Sequence, residues 1–382
     1  MTTDVLVAGG GPAGALAALL LARAGVRVRV FERAVFPRDK LCGDTVNPGA
    51  LALLARHLPV GGLAALGLPV TGMRLTGPGG VTVDGDYAEG QPGLAVRRRD
   101  LDRWLLEAAE AAGAVVDMGA SVTAALVDGP PGAPRVAGVR VRSTAGAAGD
   151  ARAVWTLAAD GRRSRLTFGL GLARQPAFPR RWALGGYFEG VDGLGPRGEM
   201  HVRRGHYIGV APVPGGLANA CLVAPHPGPG AWADPSAALG AALRADGRLG
   251  PRFADARLVG APVVLGPMAV DLAAPGVAGL LAAGDAAGFI DPMTGDGLHF
   301  AFRGAEMAAA AVIDALGGRL EPGAAPRRLE ADRRRAFAAK WRFNRALRAL
   351  VSAPAGVGLA AGAARVAPPL FARMIRYAGD QS

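Results

Sequence analysis

A chain of 382 residues with 51% hydrophobic side chains is long enough for two domains with sizeable cores and too apolar to be disordered. Its net charge of +12 does not mark a nucleic-acid binder, because only Lys40 and Lys340 among the 43 basic residues are lysines and the arginines form no stripe with interleaved aromatics. Two cysteines, Cys42 and Cys221, rule out a disulfide framework; with no N-terminal stretch that reads as a secretory signal, a cytoplasmic location is expected.

The first apolar run, Asp4 to Ala8, reads as a buried strand. It leads into Gly9-Gly10-Gly11-Pro12-Ala13-Gly14 and then an Ala/Leu segment, Ala15 to Ala24, of helical composition. In such a loop Gly9 permits the tight turn, Gly11 admits a pyrophosphate close to the backbone, and Gly14 lets the helix pack on the strand. The helix N-terminus supplies free N–H groups and a favourable dipole for the anion. A second strand, Val26 to Phe31, ends at Glu32, where a carboxylate can accept bonds from a ribose.

Short alternating segments broken by glycine between Val70 and Val96 predict antiparallel strands. Leu101, Trp104, Leu105, Ala108 and Ala112 recur at helical spacing after Arg98. Strands are expected at Val115–Val122, Arg135–Ser143 and Val154–Ala158, then at Tyr187–Glu189, Glu199–Val202, Tyr207–Val210 and Leu217–Val223. The nucleotide-type pattern returns at Leu280–Gly284, followed by a helix from Gly297 to Leu316, and helices dominate from Pro326 onward. The expected organisation is an α/β nucleotide-binding domain (1–70, 97–170 and 265–325) interleaved with an antiparallel-sheet substrate domain (71–96 and 171–264). A helical region, 326–382, closes the chain. In that tail the uncharged stretch Ala349 to Ala364 is shorter than the roughly twenty residues a membrane span requires. A packed tail and an interfacial helical surface that makes peripheral membrane contact both stay open.

Three motifs together resemble the FAD-dependent oxidoreductases of the p-hydroxybenzoate hydroxylase fold, within them the geranylgeranyl reductase-like and short flavin monooxygenase group. They are Gly9 to Gly14, Ala159-Asp160-Gly161-Arg162-Arg163-Ser164, and Gly284-Asp285 continued through Pro292-Met293-Thr294-Gly295-Asp296-Gly297. The resemblance covers essentially residues 3–320. It implies that FAD is held by Gly9, Gly11, Pro12, Ala13, Gly14, Glu32, Arg33, Cys42, Gly43, Arg98, Val122, Asp160, Gly161, Gly284, Asp285, Pro292, Gly295, Asp296, Gly297 and Leu298. Asp285 would bind the ribitol, and the backbone from Pro292 to Gly297 would face the pyrimidine edge of the flavin. A helix starting there directs its positive end at the anionic edge of a reduced flavin. Lys40-Leu41-Cys42-Gly43-Asp44 matches a Cys-Gly-Asp/Glu motif that lies near the flavin in the reductase group. Cys42, Pro292 and Tyr207 are the candidates nearest the chemistry, with no catalytic residue assigned.

No His/Cys/Asp cluster has metal-ligand spacing and no Ser-His-Asp order emerges, so no metal is expected and the flavin must carry the hard chemistry. With one dinucleotide fingerprint, NAD(P)H is expected as a transient reductant or is replaced by a separate reductase protein. The halogenases of this fold carry Trp-x-Trp-x-Ile-Pro; here the segment is Tyr207-Ile208-Gly209-Val210-Ala211-Pro212, so halogenation is not expected. Gly209 and Ala211 also replace the bulky residues of the reductases, which suggests a wide cavity. The favoured expectation is a bacterial, secondary-metabolism monooxygenase hydroxylating a small lipophilic or aromatic, polyketide-like substrate through a flavin C4a-hydroperoxide. The alternatives are a reductase saturating C=C bonds of a polyprenyl lipid and an electron-transfer flavoprotein. Tyr187, Met200 and Tyr207 are expected on a sheet face that roofs the flavin.

Overall fold

The computed structural model describes residues 3–130, 134–178, 180–226, 228 and 230–379. Strand β1 (Val5–Ala8) is buried along its whole length and turns at Gly9 into helix α1 (Pro12–Arg23). Gly9 has a φ of +97°, and a Cβ on Gly14 would stand 1.9 Å from the Gly9 carbonyl oxygen, so only glycine allows this turn to close against the helix. β2 (Val28–Glu32) lies parallel to β1. Further along come β3 (Gly72–Thr76), β4 (Thr82–Asp86) and helix α2 (Arg98–Ala111).

The expected strand Val115–Val122 is two strands, β5 (Val115–Met118) and β6 (Ala120–Asp128), in different sheets. Gly119 separates them with a φ of +71°, a left-handed residue that redirects the chain. β6, β7 (Arg135–Ser143) and β8 (Ala148–Arg152) form a three-stranded antiparallel meander, and β9 (Trp155–Ala158) returns to pair with β1.

A second body of strands follows: β10 (Arg181–Glu189), β11 (Arg197–Val202), β12 (Tyr207–Val213), β13 (Leu217–Pro225) and β14 (Arg257–Leu265). β15 (Leu280–Ala282) re-enters the first sheet, and helices α3 (Gly297–Leu316), α4 (Ala325–Ser352), α5 (Pro354–Val366) and α6 (Pro368–Ala378) complete the chain. Two large sheets result. One runs Gly276–Val277, β15, β9, β1, β2, β5 and is parallel apart from its first pair. The other runs β14, β10, β13, β12, β11, β3, β4. Antiparallel pairing was expected throughout the second sheet, but β11 and β3 run parallel, with Arg197 opposite Gly72. Gly93–Ala95, also expected in that sheet, pairs instead with Thr45–Val46 and Leu68–Val70 in a small sheet between the two.

The cores follow from these layers. Leu16, Leu19, Leu101, Leu105, Phe302 and Val312 pack α1, α2 and α3 on one face of the parallel sheet. Leu184, Phe188, Ile208 and Leu222 of the second sheet bury one face against the helix Pro235–Ala245 through Leu239 and Leu243. Its opposite face, with Ala183, Met200, Tyr207 and Val223, meets Val351 and Val357 of the C-terminal helices.

Candidate functional site

At the end of β1 the chain builds an anion cradle. Gly11 caps α1 without a side-chain bond and Pro12 takes the first helical position, so the backbone N–H groups that follow have no partner within the helix. Around Gly11 there is open space: a Cβ there would find only Arg38 Nη2, at 3.7 Å. Glu32 is buried and accepts from the Gly10 N–H at 2.8 Å and the Ala34 N–H at 2.9 Å, which leaves further acceptor positions on its carboxylate.

The Lys40–Asp44 loop lies beside this cradle. Asp44 is the one non-glycine residue among those described with left-handed backbone, at φ +50°. Its carboxylate accepts from the Arg98 N–H at 3.1 Å, the Tyr187 hydroxyl at 2.7 Å and Asn219 Nδ2 at 2.7 Å. Burial pushes the Asp44 carboxyl up to about 6, against the pull of those hydrogen bonds. Arg98 is held to Asp102 by two bonds of 2.8 Å, both side chains buried, and Arg38 adds a third contact to Asp102 at 3.0 Å. Lys40 projects among these charges. Burial pushes its ammonium down, as do Arg98 and Arg38, while Asp285 and Asp102 oppose the shift.

Opposite stands the segment 284–298. Asp285 sits in a short 3-10 turn, Gly284–Ala287, and among the described residues its carboxylate has no hydrogen-bond donor; Lys40 and Arg162 are its nearby cations. Gly295 adopts φ +68° and lets the chain turn into α3. Asp296 occupies the N-cap position of that helix, but its side chain does not cap it: Oδ1 accepts from Thr294 Oγ1 at 2.7 Å and Oδ2 from Asn344 Nδ2 at 2.8 Å. Helix α4 fixes this segment from behind. Arg333 donates to the Ala287 carbonyl at 2.6 Å and Arg348 to that of Ile290 at 3.2 Å.

Between the loop and the second sheet lies a cavity of about 620 Å³. Gly11, Pro12, Ala13, Lys40, Cys42, Gly43, Arg98, Gly161, Gly284, Asp285, Pro292, Gly295, Gly297 and Leu298 all reach its wall. The sheet contributes Met200, Gly209, Ala211, Asn219 and Cys221, and the C-terminal helices close the far end with Leu347, Leu359, Phe371 and Met374. Most of the lining is aliphatic. Glu199, the carboxylate on the sheet side, is bound by Arg252 at 2.6 and 2.9 Å and by His201 at 2.9 Å. Burial would raise its pKa, but those partners bring it down to about 2. Burial holds the Cys221 thiol up at about 12.

Several expected residues stand elsewhere. Tyr207 shares the face of β12 that carries Gly209 and Ala211 but is buried off the cavity wall, with its hydroxyl donated to Asp291 at 2.6 Å. Tyr187 is likewise committed to Asp44, whereas Met200 does line the cavity. Asp160 lies off the wall and uses Oδ2 to accept from the Arg165 N–H at 2.8 Å, closing the turn before a short helix. Arg33 is exposed, and Val122 packs half-buried in β6 against the cluster under the parallel sheet. Gly9, Gly14 and Glu32 sit behind the wall as its scaffold. Sequence reasoning did not single out Arg38, Asp102, Arg162, Asn219, Arg333 or Asn344. The Arg98–Asp102 spacing of one helical turn was the one visible signal among them.

These residues fit a flavin dinucleotide: a glycine cradle open at Gly11, a free carboxylate at Asp285, and an Arg162 Nε that is buried without a partner. Residues 2–184 match the FAD binding domain family. In sequence it is similar to the menaquinone reductase of Mycobacterium tuberculosis, 42% identical over 125 residues, which is 32% of this chain and 30% of that enzyme. The chain thus spans less than a third of the curated relative it matches. In structure it is similar to the myxobacterial chondrochloren halogenase, an FAD-dependent halogenase, with a TM-score of 0.81 and 25% identity over 91% of this chain and 82% of that one. A geranylgeranyl bacteriochlorophyll reductase-like protein from Thermoplasma acidophilum shares the fold at a TM-score of 0.77 and 22% identity, covering 93% and 89% of the two chains.

Proposed function

We propose that this flavoprotein saturates a C=C bond in the isoprenoid portion of a lipid. The observation that carries this reading is the length and chemistry of the cavity: aliphatic walls run from the Pro292–Gly297 loop to α5 and α6. A long apolar tail gains from burial along all of it. Among the described residues the wall offers no unpaired carboxylate or histidine on the sheet side that could deprotonate a phenol, since Glu199 is consumed by Arg252 and His201. Similarity to a menaquinone reductase supports the same reading.

When bound, reduced FAD supplies the hydride. The protein's part is to hold the alkene against the loop, exclude water and supply one proton. Cys42 Sγ lies on the wall beside Arg98 and is the candidate donor. The test is anaerobic incubation of chemically reduced protein with menaquinone or geranylgeraniol, read by mass spectrometry. Product that stays heavier by two hydrogens after any quinol has been reoxidised in air supports the reading; lipid unchanged after flavin reduction refutes it.

A second reading, hydroxylation of a lipophilic or aromatic ring, is favoured by one observation. A Cβ at Gly209 would meet nothing closer than Met200 Cε at 3.9 Å, so the cavity is wide there. Oxygen-dependent product carrying one added oxygen atom would establish it. NAD(P)H serves either reaction as the expected electron source, with a separate reductase as the other.

A further inference from the structure

Leu359 of α5 is 75% exposed and also lines the cavity, so the cavity mouth is at this helix. Leu359, Gly362, Ala363 and Val366 follow one another at helical spacing and are all exposed, Val366 at 88%. They form an apolar stripe that faces away from the protein. In α6, Leu370, Arg373 and Tyr377 share a face in the same way, with Leu370 56% exposed. The charge around them is one-sided. From Lys340 to Gly379 the chain holds seven basic residues and no acidic one. Arg342, Arg345, Arg373 and Arg376 are exposed, and among the described residues none has a carboxylate partner. Arginine ion pairs abound on the rest of the surface, as at Arg74–Asp84 and Arg140–Asp150.

We propose that the α5–α6 face docks on an anionic phospholipid bilayer, with the cavity mouth at Leu359 opening toward the acyl layer. An exposed apolar stripe flanked by arginines is the composition of an interfacial helix, which lies in the membrane surface rather than crossing it. Among the described residues no single helix is long and apolar enough to cross. Each basic residue near an anionic leaflet strengthens binding about fivefold, and the apolar stripe adds contact with the acyl boundary. The purpose of the contact rests on the lipid-substrate reading above; the contact itself does not.

Co-sedimentation with vesicles tests it without substrate. The FAD-loaded protein should pellet with phosphatidylglycerol/phosphatidylcholine vesicles and stay in solution with phosphatidylcholine alone. Binding should collapse in about 1 M salt, where charges are screened beyond about 3 Å. Arg373→Glu/Arg376→Glu should weaken binding at least about 25-fold, and Val366→Ser/Leu370→Ser should also reduce it. None of these four side chains lines the cavity, so both variants should keep their flavin absorbance and melting temperature. Equal partition to neutral and anionic vesicles, or none to either, overturns the proposal. So does a dimer in light scattering that Val366→Ser/Leu370→Ser converts to a monomer without vesicle binding, because the stripe would then cover a second copy. Vesicle binding with no alkene reduction upholds the docking surface and refutes only the catalytic reading.

Discussion

Tyr187 donates its hydroxyl to Asp44 at 2.7 Å, joining the second sheet to the loop beside the nucleotide cradle across 143 positions of chain. Asn219 bonds the same carboxylate oxygen and also the Cys42 carbonyl. The sheet is therefore held against the Cys42 loop by neighbouring donors converging on a backbone that is itself left-handed at Asp44.

Asp44 gives stability a characteristic pH dependence. Its carboxyl is raised to about 6 in the folded protein, chiefly by burial, from an ordinary value near 3.8. Between those values the folded protein holds a proton the unfolded chain has released, so this contribution is fully present below about pH 4 and is lost as pH rises through about 6. The span corresponds to about 3 kcal/mol. Wild type should gain on Asp44→Asn by that order as pH falls from about 7 to about 4, measured by urea unfolding. A pH-independent difference between the two proteins would contradict the assignment.

Asp102→Asn should be far more damaging than the loss of one of the surface ion pairs. It leaves the Arg98 guanidinium buried without its carboxylate, which costs about 3–5 kcal/mol for pairs of this kind. The expected outcome is a large drop in melting temperature. Asp100→Asn, two positions earlier and more exposed, should change it little.

Two alanine substitutions in the glycine loop should separate folding from cofactor binding. Gly14→Ala places a methyl 1.9 Å from the Gly9 carbonyl oxygen and should destabilise the protein by about 1–3 kcal/mol or more through backbone displacement. Gly11→Ala meets nothing closer than 3.7 Å and should fold normally, yet lose flavin because the methyl stands where the pyrophosphate approaches. Equal loss of melting temperature in both apoproteins would remove the distinction.

Asp285→Ala should retain FAD poorly. The carboxylate lines the cavity with no protein donor, so its removal deletes a charged hydrogen bond to the cofactor, typically about 1.5–3 kcal/mol, while leaving the apoprotein's fold intact. Flavin absorbance after gel filtration and fluorescence titration of the apoprotein provide the check. Undiminished affinity would place the ribitol elsewhere.

The local features of this chain were legible in its sequence because they rest on short-range rules. Helix α3 spans Gly297–Leu316 as its pattern predicts, and the glycine loop lies between a buried strand and a helix. What was hidden depends on distant partners. Nothing near Asp296 signals that its carboxylate faces Asn344 of α4 instead of capping its own helix, and nothing near Tyr207 signals Asp291. The Val115–Val122 run reads as one strand because β propensity does not register a single left-handed Gly119. Asp160 also closes its own turn through Oδ2, a role its motif does not signal.

The parallel pair β3–β11 sets a timetable for synthesis. Thr71 and Pro196, at its edge, are 125 positions apart, so β3 and β4 leave the ribosome as a bare hairpin long before β11 exists. The sheet closes only after the meander and β9 have been made, and Met73, Leu75 and Val83 wait longer still, because Ala361, Ala364, Phe371 and Ile375 of α5 and α6 cover them. Such long-range closure is slow and exposed to aggregation. Truncations ending before residue 197 therefore have no partner for this edge, and those ending before α5 leave the apolar face of β3 and β4 bare.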